Sequence, residues 1–266
     1  MSHTERALSF GQAADLYDRA RPSYPAQLVR EVLDLTENHP SNPVLVDLAA
    51  GTGKLTSVLT QFSSNVTAVE PDPEMRAQLR RALPDVIALD GRDSAIPLPD
   101  SSVDALFVAQ AWHWFNEAAA AAEILRVLRS GGVLAVLWNL KDDTVGWVND
   151  FRVVIGSSST VSAPLEAPSI PWSAPTEVTF PWEWTRTRAE IVEYGLSTSY
   201  CISLSPSERA AVTARLVEIT EAAARTTAPD AASATTAAAA ASTSTIRETL
   251  AMPFVTRAFV YRAPSA

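Results

Sequence analysis

Two acids and a turn of small residues carry most of the chemistry this sequence can do. Residues 44–56 read VLVDLAAGTGKLT. The apolar run Val44–Val46 leads to Asp47, and Ala49-Ala50-Gly51-Thr52-Gly53 follows as a small-residue turn. Leu55, Val58, Leu59 and Phe62 then recur at the spacing of an amphipathic helix. Such a strand–turn–helix lets a ligand approach the backbone closely and offers it the free N–H groups of the helix start. Nineteen residues beyond Gly51 stands Glu70, at the end of a second strand, Val66–Val69. A carboxylate there can accept both hydroxyls of a ribose. The unit reads as an adenosine-binding βαβ.

The spacing also bears on which adenosine cofactor fits. A dinucleotide site uses G-x-G-x-x-G, the third glycine permitting close helix–strand packing. From Gly51 the chain reads G-T-G-K-L-T, with Thr56 at the third position; one register earlier, Ala49 holds the first. The stretch instead resembles the first motif of the class I S-adenosylmethionine-dependent methyltransferases, hydrophobics-D-L-G-x-G-T-G, with Ala49 in place of the usual first glycine. The resemblance continues in DGRDSAIPLPDSSVDALFVAQAWHWF (90–115) and EILRVLRSGGVLAVLWN (123–139). FGQAADLYDRARPSYP (10–25) resembles the N-terminal segment of the trans-aconitate-methyltransferase-like branch, in which the loop after the fourth strand often reads H-W-F, as His113-Trp114-Phe115 does here. Residues 10–140 carry the likeness well and the remainder loosely.

The resemblance implies S-adenosyl-L-methionine as cofactor and a set of site residues. Asp47 falls near the amino group of the methionine moiety, and Ala49, Gly51 and Gly53 shape the turn. Glu70 binds the ribose, with Pro71 beside it and Met75 near the adenine. Arg92 and Asp93 occupy the place of an adenine clamp. Gln110, after the fourth strand, faces cofactor or substrate. Tyr17 and Arg21 lie in an N-terminal arm that folds over the cofactor and can bind a carboxylate. His113 is the catalytic candidate, either as base for a hydroxyl acceptor or as an orienter of a carboxylate. Tyr24, Trp112, Trp114, Trp138 and Trp147 are candidates to line the acceptor site. The reaction class is methyl transfer to a small molecule, with O-methylation favoured over C- or N-methylation. Two other classes stay open: a nicotinamide-dependent oxidoreductase, and a protein that binds S-adenosylmethionine without transferring its methyl.

Composition narrows the partners. The 266 residues are 47% hydrophobic, enough for a large core, and carry a net charge of −9. Nucleic-acid binders present a basic face, and here Lys54 and Lys141 are the two lysines, with no Lys/Arg cluster. A nucleic-acid substrate is therefore disfavoured. Cys201 is the single cysteine, so no internal disulfide forms, as suits a reducing cytoplasm. His3, His39 and His113 are scattered without metal-ligand spacing. No run of 18 apolar residues and no apolar leader core occurs. A cytoplasmic monomer or homodimer, off the membrane and without a metal, is expected.

The elements that must position these residues alternate. Strands at 44–46, 66–69, 86–89, 103–109 and 133–138 are separated by helical patterns, which argues a Rossmann-like, doubly wound, mostly parallel sheet of seven strands with helices on both faces and an antiparallel last strand at 254–261. One methyltransferase domain over 1–266 is expected. It comprises an arm and helix (1–40), a cofactor core (41–139), an irregular insertion (140–175), and a sheet-completing part (176–266) with an Ala/Thr-rich connector at 222–245. The Asp72-Pro73 pair starts one helix, and Asn116 caps another that places Ala121, Ile124, Leu125 and Leu128 inward and ends at Gly131-Gly132. Thr187/Glu190 and Ser205/Glu208 form capping boxes. Long irregular insertions are usually functional, so 140–175 and the arm are expected to cover the site.

Overall fold

A computed structural model describes residues 21–38, 40–226 and 248–265. His3, Tyr17, His39 and most of the Ala/Thr-rich connector lie outside the described residues. In chain order the elements are α1 (Ala26–Leu33), β1 (Leu45–Leu48), α2 (Thr56–Leu59), β2 (Val66–Val69), α3 (Pro73–Ala82), β3 (Ile87–Leu89), β4 (Val103–Ala109) and α4 (Glu117–Val127). Then come β5 (Leu128–Lys141), α5 (Gly146–Val154), β6 (Thr176–Thr187), α6 (Arg188–Leu196), α7 (Ser199–Ile202), α8 (Pro206–Thr226) and β7 (Thr249–Arg262). The strands form one seven-stranded sheet in the order β3-β2-β1-β4-β5-β7-β6. β1 to β5 run parallel, and β7 is antiparallel to both β5 and β6.

Every residue of β1 is buried, as is nearly all of β4. Helices covering both faces of a parallel sheet demand such continuous apolar strands. One core cluster packs Val46, Leu106, Ile124 and Tyr261 on one face; another packs Leu28, Leu59, Phe107 and Val260 on the other. The helix starts follow the expected chemistry. Asp72 Oδ1 accepts from the N–H groups of Glu74 (2.8 Å) and Met75 (3.1 Å), with Pro73 at the first helical position. Asn116 Oδ1 caps α4 through the Ala119 N–H at 3.1 Å, and both capping boxes form.

Three expectations change. The helix after the small-residue turn is a single turn, Thr56–Leu59, flanked by tighter turns. α4 ends at Val127 and leaves Leu125 37% exposed, while Gly131-Gly132 lies within β5. A Cβ on Gly132 would meet the carbonyl oxygens of Arg129 and Asp104 at 3.0 Å, and the β4–β5 register shifts between Val103 and Ala105; the glycines serve a bulge. Finally, β5 runs past Trp138 to Lys141, held there by Phe254 of β7. The 140–175 stretch contains α5.

These long strands extend beyond the four-residue β1 and carry a third core cluster with α5, α6 and α8. Phe151, Trp184, Tyr194, Leu216 and Phe254 meet in it. Phe151 stacks on Tyr194 with ring centroids 6.1 Å apart, and Trp184 stands edge-on to Tyr194 at 5.3 Å. This cap sits beside the carboxyl edge of β1 and β4, where the strand order reverses direction. Open α/β sheets bind ligands at that place.

Candidate active site

A cleft of about 290 Å³ opens at that edge. One wall is backbone. Asp47, at the end of β1, leads into Ala49-Ala50-Gly51-Thr52, and Lys54 and Leu55 complete the wall. Ala49 and Gly51 are held at φ +58° and +57°, a left-handed conformation that costs a residue with a Cβ about 1–2 kcal/mol. Gln110, at the end of β4, is left-handed as well, at φ +57°. Strained non-glycine residues of this kind cluster at ligand sites. Gly53, at φ +91°, turns its missing side chain toward α3: a Cβ there would lie 3.0 Å from Leu79 Cγ.

Two acids brace the wall. Asp47 is 1% exposed, and its Oδ2 accepts the Thr56 hydroxyl at 2.6 Å. Burial, with the nearby Glu70 adding to it against the Thr56 hydrogen bond, pushes the Asp47 carboxyl up to about 7. Glu70 Oε2 accepts the Gly51 N–H at 2.7 Å and its Oε1 accepts the Asp72 N–H at 2.9 Å. Burial raises Glu70 too, against the pull of those two N–H groups. Glu70 thus ties the turn to the start of α3.

The opposite wall is made of side chains from distant segments. Gly156 to Ser159 follow α5, Lys141 ends β5, and Tyr194, Thr198 and Tyr200 come from the α6–α7 region. The Lys141 N–H donates to the Ser159 carbonyl (3.2 Å) and the Val161 N–H to the Lys141 carbonyl (2.9 Å), which seats the loop on the end of β5. Residues 21–24 close one end: Ser23 Oγ reaches the Lys54 carbonyl at 3.4 Å, and Asn139 Nδ2 donates to the Ser23 carbonyl at 3.0 Å. Gln110 Nε2 donates to the Asn139 carbonyl at 3.2 Å.

Comparison with known proteins identifies the architecture. The family described as a methyltransferase domain matches residues 46–136. The uncharacterized methyltransferase Rv3342 of Mycobacterium tuberculosis is 41% identical over 78% of this chain and 83% of its own length. The uncharacterized methyltransferase-like protein C25B8.10 of Schizosaccharomyces pombe is 38% identical over 53% of this chain and 55% of its own length. A solved chain from Anaeromyxobacter dehalogenans that carries a type II methyltransferase name is 25% identical and superimposes with a TM-score of 0.54 over 92% of this chain and 99% of its own. The chain belongs to the class I S-adenosylmethionine-dependent methyltransferases.

The residues of this methyltransferase fit its cofactor. Thr52 is 3% exposed, and its hydroxyl has no hydrogen-bond partner among the described residues although it belongs to the cleft wall. A buried orphan hydroxyl beside a left-handed turn is an incomplete hydrogen-bond set that a polar ligand completes. Asp47, the single acid among the described lining residues, suits an ammonium.

Of the residues marked in the sequence, the cleft brings together Arg21, Tyr24, Asp47, Ala49, Gly51 and Gln110. Gly53, Glu70, Pro71 and Met75 stand behind or beside the turn; Met75 Sδ lies 3.8 Å from where a Gly51 Cβ would be. The others are elsewhere. Arg92 is exposed and bridges Ala95, and Asp93 Oδ2 accepts the Asn116 N–H at 3.0 Å. Trp112 and Trp138 are corrected from acceptor-site to core residues, at 3% and 8% exposure. The Trp112 indole donates to Glu117 at 3.0 Å, and Trp138 packs edge-on to Phe259. Trp114 packs against the same core, and Trp147 packs edge-on to Phe151 in the cap core. His113 is exposed on a 3₁₀ turn, Trp112–Trp114, outside the cleft lining, with its ring 4.7 Å from that of Trp114. Thr52, Asn139, Lys141, Ser157–Ser159, Tyr194, Thr198 and Tyr200 also line the cleft, and, Thr52 of the small-residue turn aside, no motif in the sequence marks them as site residues. The signal for Lys141 was available: it is one of two lysines and sits at the end of an apolar run.

Proposed function

We propose that this enzyme methylates a small molecule, with oxygen as the favoured acceptor atom. The observation that supports this most is the cleft at the sheet edge, walled on one side by a backbone turn and on the other by polar side chains of the cap. S-Adenosylmethionine, when bound, supplies an electrophilic methyl on a sulfonium. Asp47 receives the amino group of its methionine part. The adenosine part follows the sheet edge from Gly51 toward the ends of β2 and β3, with Glu70 and Met75 beside it and the Arg92–Asp93 turn beyond. Gln110 and Tyr24 stand between the two walls and orient the acceptor. Residues 21–24 exclude water. Positioning of this kind supplies roughly 7–11 kcal/mol of barrier reduction. His113 stays outside the cleft, so the reaction takes no base from it, which suits an acceptor oxygen that is already ionised.

Incubation with S-adenosylmethionine and a panel of small carboxylic acids and phenols tests the proposal. The expected result is a product heavier by one methyl and stoichiometric S-adenosylhomocysteine. Methylation of added RNA, or a methylated nitrogen or carbon in the product, would contradict it.

A further inference from the structure

Lys141 is a buried cation for which the cofactor wall has no role. It is 4% exposed and lines the cleft on the cap side. Its Nζ donates to Ser157 Oγ at 3.0 Å and lies 5.5 Å from the centre of the Tyr194 ring. Among the described residues no carboxylate stands within ion-pair distance of it. An ammonium carries three donors, and a buried charge without a counter-ion is costly. A hydroxyl and a ring face compensate only part of that cost.

The surroundings offer Lys141 no acid on its own side. Arg21 lies over the same Tyr194 ring, 5.7 Å from its centre. Asp47 is the single acid of the described cleft lining. Asp47 belongs to the opposite wall and is bonded to Thr56. Ser157 accepts from Lys141, so its own hydroxyl proton points elsewhere. The pair therefore presents an ammonium and a hydroxyl donor side by side, a match for the two oxygens of a carboxylate.

We infer that Lys141 and Ser157 form a subsite for a carboxylate of the methyl acceptor, so that the acceptor is a small carboxylic acid or a molecule bearing one. The inference rests on the methyl-transfer reading above. The amino-acid end of the cofactor also carries a carboxylate, and the experiment separates the two sources.

With two lysines in the chain, ¹³Cε-lysine labelling of the full-length protein gives two side-chain signals, assigned with Lys54→Arg. Citrate and benzoate serve as probes on protein saturated with S-adenosylhomocysteine. The expected result is a probe-dependent shift of the Lys141 signal. Lys141→Met should weaken probe binding about tenfold or more, the loss of a charge-assisted hydrogen bond, and Lys141→Arg should retain most of it. Affinity for S-adenosylhomocysteine should stay unchanged in both variants, which also reports that they fold. If S-adenosylhomocysteine alone shifts the Lys141 signal and Lys141→Met weakens its binding, the carboxylate is the cofactor's and the inference is overturned. It is overturned equally if Lys141→Met binds the probes as the parent does. No binding of S-adenosylhomocysteine to the parent overturns the underlying reading and this inference with it. Binding of S-adenosylhomocysteine with no response to either probe overturns this inference alone.

Discussion

The two walls of the cleft are built on different principles. The turn wall comes from one stretch, residues 47–55, and is shaped by backbone, a left-handed Ala49, a left-handed Gly51 and an N–H held by Glu70, with the Asp47 carboxyl and the Thr52 hydroxyl set into it. The cap wall comes from three separate segments, the end of β5, the loop after α5 and the α6–α7 region, and its working parts are side chains, Lys141, Ser157, Tyr194 and Tyr200. The turn wall constrains residue type where the backbone is left-handed, at Ala49, Gly51 and Gly53, because small residues and glycine are favoured there. A wall made of side chains constrains only where the elements end. Under the proposed function the cofactor lies against the first wall and the acceptor against the second.

The largest expected effect belongs to Asp47. Burial pushes its carboxyl up to about 7, and the carboxyl must be ionised to receive an ammonium. Affinity for S-adenosylhomocysteine should rise up to about tenfold per pH unit from pH 5 toward 7 and level off above. Asp47→Asn should flatten that profile, as calorimetry across pH would read. Stability of the free protein should move the opposite way. The folded carboxyl holds its proton to higher pH than the unfolded one, so stability is full near pH 4 and declines as pH rises toward 7. Glu70→Ala comes next. It leaves the Gly51 and Asp72 N–H groups without their acceptor, at a cost of about 1–3 kcal/mol. Weaker cofactor binding and a lower Tm should appear together; an unchanged cofactor affinity in a folded variant would remove Glu70 from the turn wall.

The cap wall should respond differently. Gly156→Ala places a Cβ at φ +61°, 3.1 Å from the Tyr200 ring, and should cost about 1–2 kcal/mol of stability. It should raise the acceptor KM while leaving the Kd of S-adenosylhomocysteine alone. Equal effects on both ligands would erase the distinction between the walls. Ala49→Gly relieves the left-handed strain at the head of the turn but gains unfolded-state entropy, so a net stabilisation below about 1 kcal/mol is expected in denaturant melts. His113→Ala, outside the cleft, should leave kcat within about threefold of the parent, well short of the 10²-fold or more lost with a general base.

The same contrast explains what could be read from the sequence. The placing of Asp47, Gly51 and Glu70 around one turn was legible because that turn is local and its spacing is fixed by a strand, a turn and a strand. β2, α3 and β4 were legible because caps and apolar runs mark their ends. Tyr194 was not, and Lys141 was marked only as one of two lysines, since nothing local says that β5 continues past Trp138 or that α6 aims one face at the cleft. Those facts come from the antiparallel pairing of β7 with β5 and from the packing of Phe151 on Tyr194. The tryptophans misled for a related reason. Aromatics near a strand end suit a pocket or a core equally well, and for Trp112 and Trp138 the core offered the larger burial.

Hydrogen exchange on the full-length protein, with and without S-adenosylhomocysteine and with NAD as control, tests the division of the cleft most directly. Slowed exchange is expected at residues 47–55 and in the 21–25 segment when S-adenosylhomocysteine is added, with a smaller effect at 155–160 and none anywhere with NAD. Protection by NAD, or an S-adenosylhomocysteine effect confined to 155–160 with the turn unchanged, would contradict the assignment of the cofactor to the turn wall.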